Sequence, residues 1–317
     1  YNFTKKNLAK FAGILKNKQY DIVFFRFAST TFLTPIVEKT LPKAAVIIDV
    51  DMLFSRLAKL SWKINPTLKN RYYLIEFIKH KNYEFELFAR PYLFYFTNYK
   101  ELKLAQKLYV SPSSEAKLEL IPNVMKPGDK EIISKKENYI IFFGDLKSAA
   151  NRDAFLFLAK QIYPLIVSKL QQKGIKLKIV GKNQLPIYEE IKQKMNLHLL
   201  DLVGEVDDIK KYIATAKFAV FPIRIASGTR TRILEAAQLK TAVITTSLGA
   251  EGFRFSKDEL LVADVPERIA ENILNLLQNN EKCQQLAENL NKKAKKLYLD
   301  AVVAQKMVKS IKNFIGK

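Results

Sequence analysis

Short apolar runs alternate with longer amphipathic stretches along this chain. Residues 20–27 (YDIVFFRF) and 43–50 (KAAVIIDV) are β-branched or aromatic and bounded by polar residues, the pattern of buried strands. Residues 92–96 and 118–121 repeat it, the latter stopped by Pro122. Residues 4–19 read as a helix, and 66–88 carries Tyr73, Phe77 and Phe88 at helical spacing. A polar stretch over 126–137 (KPGDKEIISKKE), with Pro127 and Gly128, marks a linker.

Beyond it the alternation becomes regular. Strands are predicted over 139–143, 176–180, 218–221, 241–245 and 260–263, with helices over 153–172, around Glu189 and around Ile233. Asp264-Val265-Pro266-Glu267 has capping-box spacing and opens a helix through Leu277. Strands and helices in this order predict an α/β chain of parallel sheets covered by helices on both faces. In such sheets ligands bind beyond the carboxyl ends of the strands. The expected organisation is two Rossmann-like domains facing a cleft, over 1–130 and 138–298. A C-terminal helix over 299–317 is expected to cross back to the first domain.

Composition narrows the classes. The chain has 317 residues, 48% apolar, which supports ordinary cores and argues against disorder. A lone Cys283 excludes an internal disulfide framework and a cysteine-based zinc site. No apolar run approaches the ~18 residues of a bilayer span, and no signal-like segment opens the sequence. The formal charge is +22, split evenly: 24 basic against 13 acidic residues over 1–137, 29 against 18 beyond. A nucleic-acid binder usually concentrates charge in one arm or stripe, so this spread argues against nucleic acid. It fits a lysine-rich solvated surface, or attraction to phosphorylated substrates and anionic lipid.

Candidate chemistry concentrates at 221–237 (FPIRIASGTRTRILEAA). A buried strand delivers Arg224 and a small-residue loop, Ala226-Ser227-Gly228-Thr229, to the start of a helix. Small residues let a ligand approach the backbone, and N–H groups at a helix start bind anions. Arg224, Arg230 and Arg232 add donors suited to phosphate. Glu235 lies three residues after Arg232, where it can accept from sugar hydroxyls or merely pair with that arginine.

These residues carry a resemblance. Residues 222–253 (PIRIASGTRTRILEAAQLKTAVITTSLGAEGF) resemble the donor-site signature of glycosyltransferase family 4, the retaining group 1 glycosyltransferases of GT-B fold, in the branch with a GTR-x-x-x-LE loop. Gly204, Val206 and Asp208 match its Gly-x-Val-x-Asp segment; Gly144, Asn151 and Asp153 match its first C-domain loop. IDVD at 48–51, Tyr83-Glu84 and Ile121-Pro122-Asn123 are similar to one branch of the family in the first half.

The resemblance implies roles. Glu235 corresponds to the glutamate that hydrogen-bonds the donor ribose, and Gly228 and Thr229 to the loop holding the diphosphate. Val203 and Gly204 correspond to the base-contacting segment, and Gly181 ends the strand flooring it. The reaction implied is transfer from a UDP-, GDP- or ADP-sugar to a glycan or lipid-linked hydroxyl with retention, in bacterial surface polysaccharide, lipopolysaccharide or glycolipid assembly. No cofactor and no metal are implied. A cytoplasmic enzyme, peripheral on an anionic inner membrane face, is the expected setting.

The sequence departs from the family in three places. Ser227 replaces the first glutamate of the Glu-x7-Glu motif. Asp145 and Asn151 stand where the family often has Arg and Lys, with Lys147, Arg224 and Arg230 as substitutes. The first strand and glycine-rich loop of the N-domain are not found before Tyr20, so that domain is expected to be truncated. A nucleotide-sugar-binding module without turnover is the alternative. On the first domain, Asp51 is the catalytic candidate and Asp49 a lesser one, unless Asp51 caps the following helix. Asp207-Asp208 is expected to cap a helix, and His80 and His198 are too separated to hold a metal. Tyr72, Tyr73, Phe77 and Phe85, with Lys69, Arg71, Lys79 and Lys81, could face a membrane; their spacing favours core packing for most of the rings.

Overall fold

The computed structural model describes residues 4–16, 18–64, 66–127, 135–182 and 186–316, so the linker expected over 126–137 lies largely outside the described residues. The chain forms two compact units: Tyr1–Pro122 with Gln305–Lys317, and Asn123–Ala304.

In the first unit α1 (Lys5–Lys16) precedes β1 (Ile22–Arg26), α2 (Thr34–Thr40) and β2 (Ala45–Val50). Then come α3 (Phe54–Ile64), α4 (Tyr72–Leu87), β3 (Leu93–Phe96), α5 (Tyr99–Tyr109) and β4 (Lys117–Leu120). The strands form a parallel sheet in the order β1-β2-β3-β4, with Arg26 opposite Asp49 and Asp49 opposite Tyr95. Tyr92, Phe94, Tyr95 and Phe96 are buried, as an apolar run in a doubly covered strand must be. Phe88 packs its ring against Phe94, Phe96 and Tyr109.

The second unit runs β5 (Tyr139–Phe143), α6 (Ala149–Phe157), α7 (Tyr163–Gln172), β6 (Lys176–Val180), α8 (Pro186–Lys194), β7 (Leu200–Gly204) and α9 (Ile209–Thr215). It continues with β8 (Phe218–Phe221), α10 (Thr231–Gln238), β9 (Ala242–Thr245), α11 (Ser247–Ala250) and β10 (Leu261–Val262). α12 (Pro266–Gln278), α13 (Asn280–Tyr298) and α14 (Asp300–Ile315) follow. From Gln305 onward α14 belongs to the first unit, where Ser310 accepts a hydrogen bond from the Tyr95 hydroxyl at 3.1 Å. The sheet is parallel throughout, in the order β10-β9-β8-β5-β6-β7. Strand order therefore reverses between β5 and β8, and crossovers of one hand carry α6 and α10 to opposite faces there.

Several expectations change. β7 replaces a stretch that had no strand pattern, because Asp201 interrupts its apolar run. The helix expected from 153 begins at Ala149, capped by the Ser148 side chain. It passes through a π-turn at Leu158–Ile162 just before Pro164, whose missing N–H breaks the regular ladder. No capping box forms at 264–267: the Asp264 carboxylate accepts instead from the Ser247 amide (2.8 Å) and hydroxyl (2.6 Å). Asp208 does cap α9, accepting from the Lys210 amide. Core packing fails for these rings: Tyr72 is 48% and Phe85 59% exposed, and Tyr73 and Phe77 are half-buried outside the core clusters.

Candidate functional site

The strand reversal between β5 and β8 is where a parallel sheet opens a crevice for ligands. Glycines end the strands on the β5 side of it. Gly144 follows β5, Gly181 follows β6 and Gly204 closes β7, with the Gly144 amide donating to Val180 (2.9 Å) and the Gly181 amide to Gly204 (2.7 Å). Gly181 has φ +130°, and a Cβ there would overlap the Gly144 carbonyl. Gly144 has φ +147°, and a Cβ on it would lie 2.9 Å from the Asn151 amide nitrogen and 3.0 Å from the Arg232 guanidinium. The bare backbone at Gly144 is what lets α6 and α10 bring these two side chains together.

They meet as a pair. Asn151 Nδ2 donates to the Asp145 carbonyl (2.8 Å), which leaves its Oδ1 to accept from Arg232 Nη2 at 2.7 Å. The guanidinium sits near the rings of Phe142 and Phe221 at the ends of β5 and β8. Arg232 Nη1 is buried and has no hydrogen-bond partner. Burial, then the charge of Arg230, push the Arg232 pKa down to about 10. At neutral pH it is still a cation, half-buried and hydrogen-bonded by a neutral amide.

Glu235 lies one helical turn on. Solvent reaches it, but the protein crowded around it raises its carboxyl pKa against the pull of Arg232 and a hydrogen bond from Thr231. The Arg232–Glu235 ion pair open in the sequence does not form, since Arg232 gives its hydrogen bond to Asn151. The loop before α10 is held by its own backbone and by β9. Ser227 is buried, Gly228 has φ +70°, and the Arg230 guanidinium donates to the Ser227 carbonyl. The Thr229 hydroxyl accepts from Asn123, and Thr245 and Thr246 donate to the carbonyls of Phe221 and Ile223.

Other expected donor-side residues sit differently. Arg224 makes a two-point ion pair with Asp153 (2.7 and 3.1 Å) and lies over the Phe157 ring at 4.3 Å, so its charge is spent within the protein. Lys147 is exposed on the loop after β5, its amide held by Asp145. Val203 is half-buried in β7, beside Gly204.

The first unit shows a separate arrangement. Asp49 stays within β2, flanked across the strands by Arg26 and Tyr95. Burial, then the charge of Asp51, push its pKa up to about 6. Asp51 accepts from the Ala28 amide at 3.3 Å, tying down the chain where it leaves β1 through Phe27 at φ +73°. α3 starts at Phe54, three residues on. Glu84 is buried, accepting from the Ser55 hydroxyl (2.5 Å) and amide (3.1 Å). Among the described residues, no three histidine, cysteine or acidic side chains gather as a metal site, and no helix is long and apolar enough to cross a membrane.

Sequence reasoning gave Arg232 only a phosphate-suited charge, or a partner for Glu235. Its setting depends on Asn151, 81 residues away, and on strand order. Phe142 and Phe221, each near the end of a β run, were the available signal.

Residues 137–279 match the model of the family described as glycosyl transferases group 1. An uncharacterized 44.6 kDa protein in the cps region of Klebsiella pneumoniae is 23% identical over 156 residues, 47% of this chain and 40% of that one. A TarM mutant from S. aureus, in complex with Fondaparinux, alpha-GlcNAc-glycerol and UDP, superposes at TM-score 0.75 with 15% identity, covering 98% of this chain and 59% of that one. HepE from Anabaena, in complex with UDP and glucose, does so at TM-score 0.70 with 11% identity, over 96% and 81%. The chain thus spans well under two thirds of the first of these relatives. Its two parallel-sheet units have the GT-B fold of glycosyltransferases.

Proposed function

We propose that this chain is a retaining glycosyltransferase that transfers a sugar from a nucleoside-diphosphate sugar to a hydroxyl of a glycan or lipid-linked acceptor. The observation that carries this reading is the half-buried Arg232 cation at the β5/β8 reversal, hydrogen-bonded by Asn151 and with a buried Nη1 short of a partner. A diphosphate beside it would supply the missing negative charge, with Gly228 and Thr229 offering backbone donors and Glu235 receiving ribose hydroxyls. As the anomeric carbon–oxygen bond breaks, charge grows on the departing diphosphate. A fixed cation in a water-poor site stabilises that charge without reorganising. The acceptor oxygen takes the vacated place on the anomeric carbon, and its proton leaves with the phosphate. Arg230 and Lys147 border the same loops as candidates for this charge, and Asp51 remains the candidate on the first unit. No metal is assigned to the site.

UDP is the first donor class to test, ahead of GDP and ADP, because it is bound in both solved structures compared above. The cps-region relative supports a role in surface polysaccharide assembly, and the charge of +22 supports a cytoplasmic, membrane-peripheral setting. Incubation with UDP-glucose and UDP-GlcNAc, following free UDP and the anomeric configuration of the product, tests the reading. UDP release with retention is expected. Tight UDP binding without release from any donor would instead favour the non-catalytic module that Ser227, in place of a glutamate, also fits.

A further inference from the structure

α4 is built the wrong way round for a helix that only packs. Its side chains at Glu84 and Leu87 are buried, and Glu84 is received by Ser55. On the opposite side Leu74, Ile75, Ile78 and Phe85, separated by three, four and seven residues, form one outward strip. They are 41, 55, 58 and 59% exposed, and Leu68, just before the helix, is 84% exposed. Single exposed apolar residues need no explanation, but three clustered at Leu74, Ile75 and Ile78, with Phe85 two turns further along the same face beyond Lys81 and Asn82, mark a contact surface. Its borders are basic: Arg71, Lys79 and Lys81 are exposed beside it. Against them stand Glu86 and Glu76, and Glu76 is already shared by Lys79 (3.5 Å) and His80 (3.3 Å).

We propose that this outward face of α4 docks on an anionic lipid bilayer, the apolar strip entering the headgroup boundary and the basic border meeting lipid phosphates. Helices with this division lie in the interface, held by buried apolar area and by attraction to anionic lipid. Charge selects the bilayer over a second copy of this chain. Two copies at +22 with like basic borders repel, whereas an anionic surface complements both parts of the face. The proposal rests on the membrane-peripheral part of the reading above and is independent of the donor chemistry.

Flotation of the purified chain with vesicles of equal parts phosphatidylcholine and phosphatidylglycerol tests it, with phosphatidylcholine alone as control. The chain should float with the anionic vesicles at low salt and retain part of that binding at high salt. Combined Ile75→Ser, Ile78→Ser and Phe85→Ser should lower the partition at least roughly tenfold, from the lost apolar transfer. Equal flotation of wild type and triple variant overturns the proposal, as does equal flotation on neutral vesicles or none on anionic ones. A concentration-dependent dimer that the triple variant dissolves assigns the face to a second copy and also overturns it. Should the triple variant not fold, Phe85→Trp replaces it. Quenching of its added emission by brominated lipid, above the Trp62 background, is expected, and no quenching overturns the proposal. A UDP-induced melting shift, recorded on the same samples, separates the two readings. Flotation without that shift removes the donor assignment and leaves the docking face standing.

Discussion

A guanidinium partly withdrawn from water with a neutral amide as its hydrogen-bond partner costs on the order of several kcal/mol unless an anion joins it. Arg232 is in that position, so its replacement separates structure from function. The packing around it is apolar, and Arg232→Met should hold or raise the melting temperature of the ligand-free chain; a fall would mark Arg232 as a structural residue. Glu235 makes the complementary case. Glu235→Ala should weaken UDP binding about tenfold, as loss of one charged hydrogen bond does, and leave pyrophosphate binding unchanged. Equal weakening of both ligands in titration calorimetry would remove the ribose role. Gly144→Ala adds a Cβ 2.9 Å from the Asn151 amide at φ +147°. It should destabilise the chain by about 1–3 kcal/mol in urea, a cost set by strain and the disrupted Asn151–Arg232 pair. At this scale the sequence displayed the residue types that the strand reversal brings together. The small-residue loop, Glu235 and the arginines were legible because spacing puts them on one loop and one helix. Which arginine keeps an open valence was not, because that depends on contacts over long chain separations.

The elements were legible wherever periodicity is local. β5 and β8 fall where their apolar runs place them, because strands buried on both faces read as unbroken hydrophobic segments, and β6 falls where Leu177, Ile179 and Val180 outweigh two lysines. β7 was invisible because polar Asp201 breaks the run, and pairing with β6 overrides the local pattern. The capping box at 264–267 has the right letters, yet Asp264 gains two hydrogen bonds from Ser247 on the neighbouring β9–α11 turn, which no local rule can weigh. Arg224 belongs at this scale too, since it ties the chain after β8 to α6 through Asp153. Arg224→Met should cost about 1–2 kcal/mol of stability, as for a partly buried ion pair, and change UDP affinity less than about twofold. A larger loss of affinity at intact stability would return Arg224 to the donor site.

Across the molecule, charge is the property that the sequence declared and could not interpret. The structure gives it two local meanings, a strand-end cation in the second unit and a basic border along α4 in the first. It also sets a pH response. Asp49 has a folded-state pKa of about 6 against an ordinary 3.8, so the fold binds its proton more tightly than the unfolded chain does. Its contribution is therefore fully present below about pH 3.8 and lost as pH rises through about 6, amounting to roughly 3 kcal/mol. Asp51 and Glu84, also raised mainly by burial, act in the same direction. Asp49→Asn should raise stability at neutral pH and flatten the chain's stability profile between those limits. An unchanged profile from urea melts across that range would show that Asp49 titrates normally.

The central claim is that a nucleoside diphosphate binds at the β5/β8 strand reversal against Arg232. Calorimetric titration of UDP into the wild-type chain and into Arg232→Met tests it most directly. The account predicts measurable binding to the wild type, weakened at least roughly tenfold in a variant that melts no lower, since a charged hydrogen bond and its half-buried charge are both removed. Equal UDP affinity in the two proteins would contradict it.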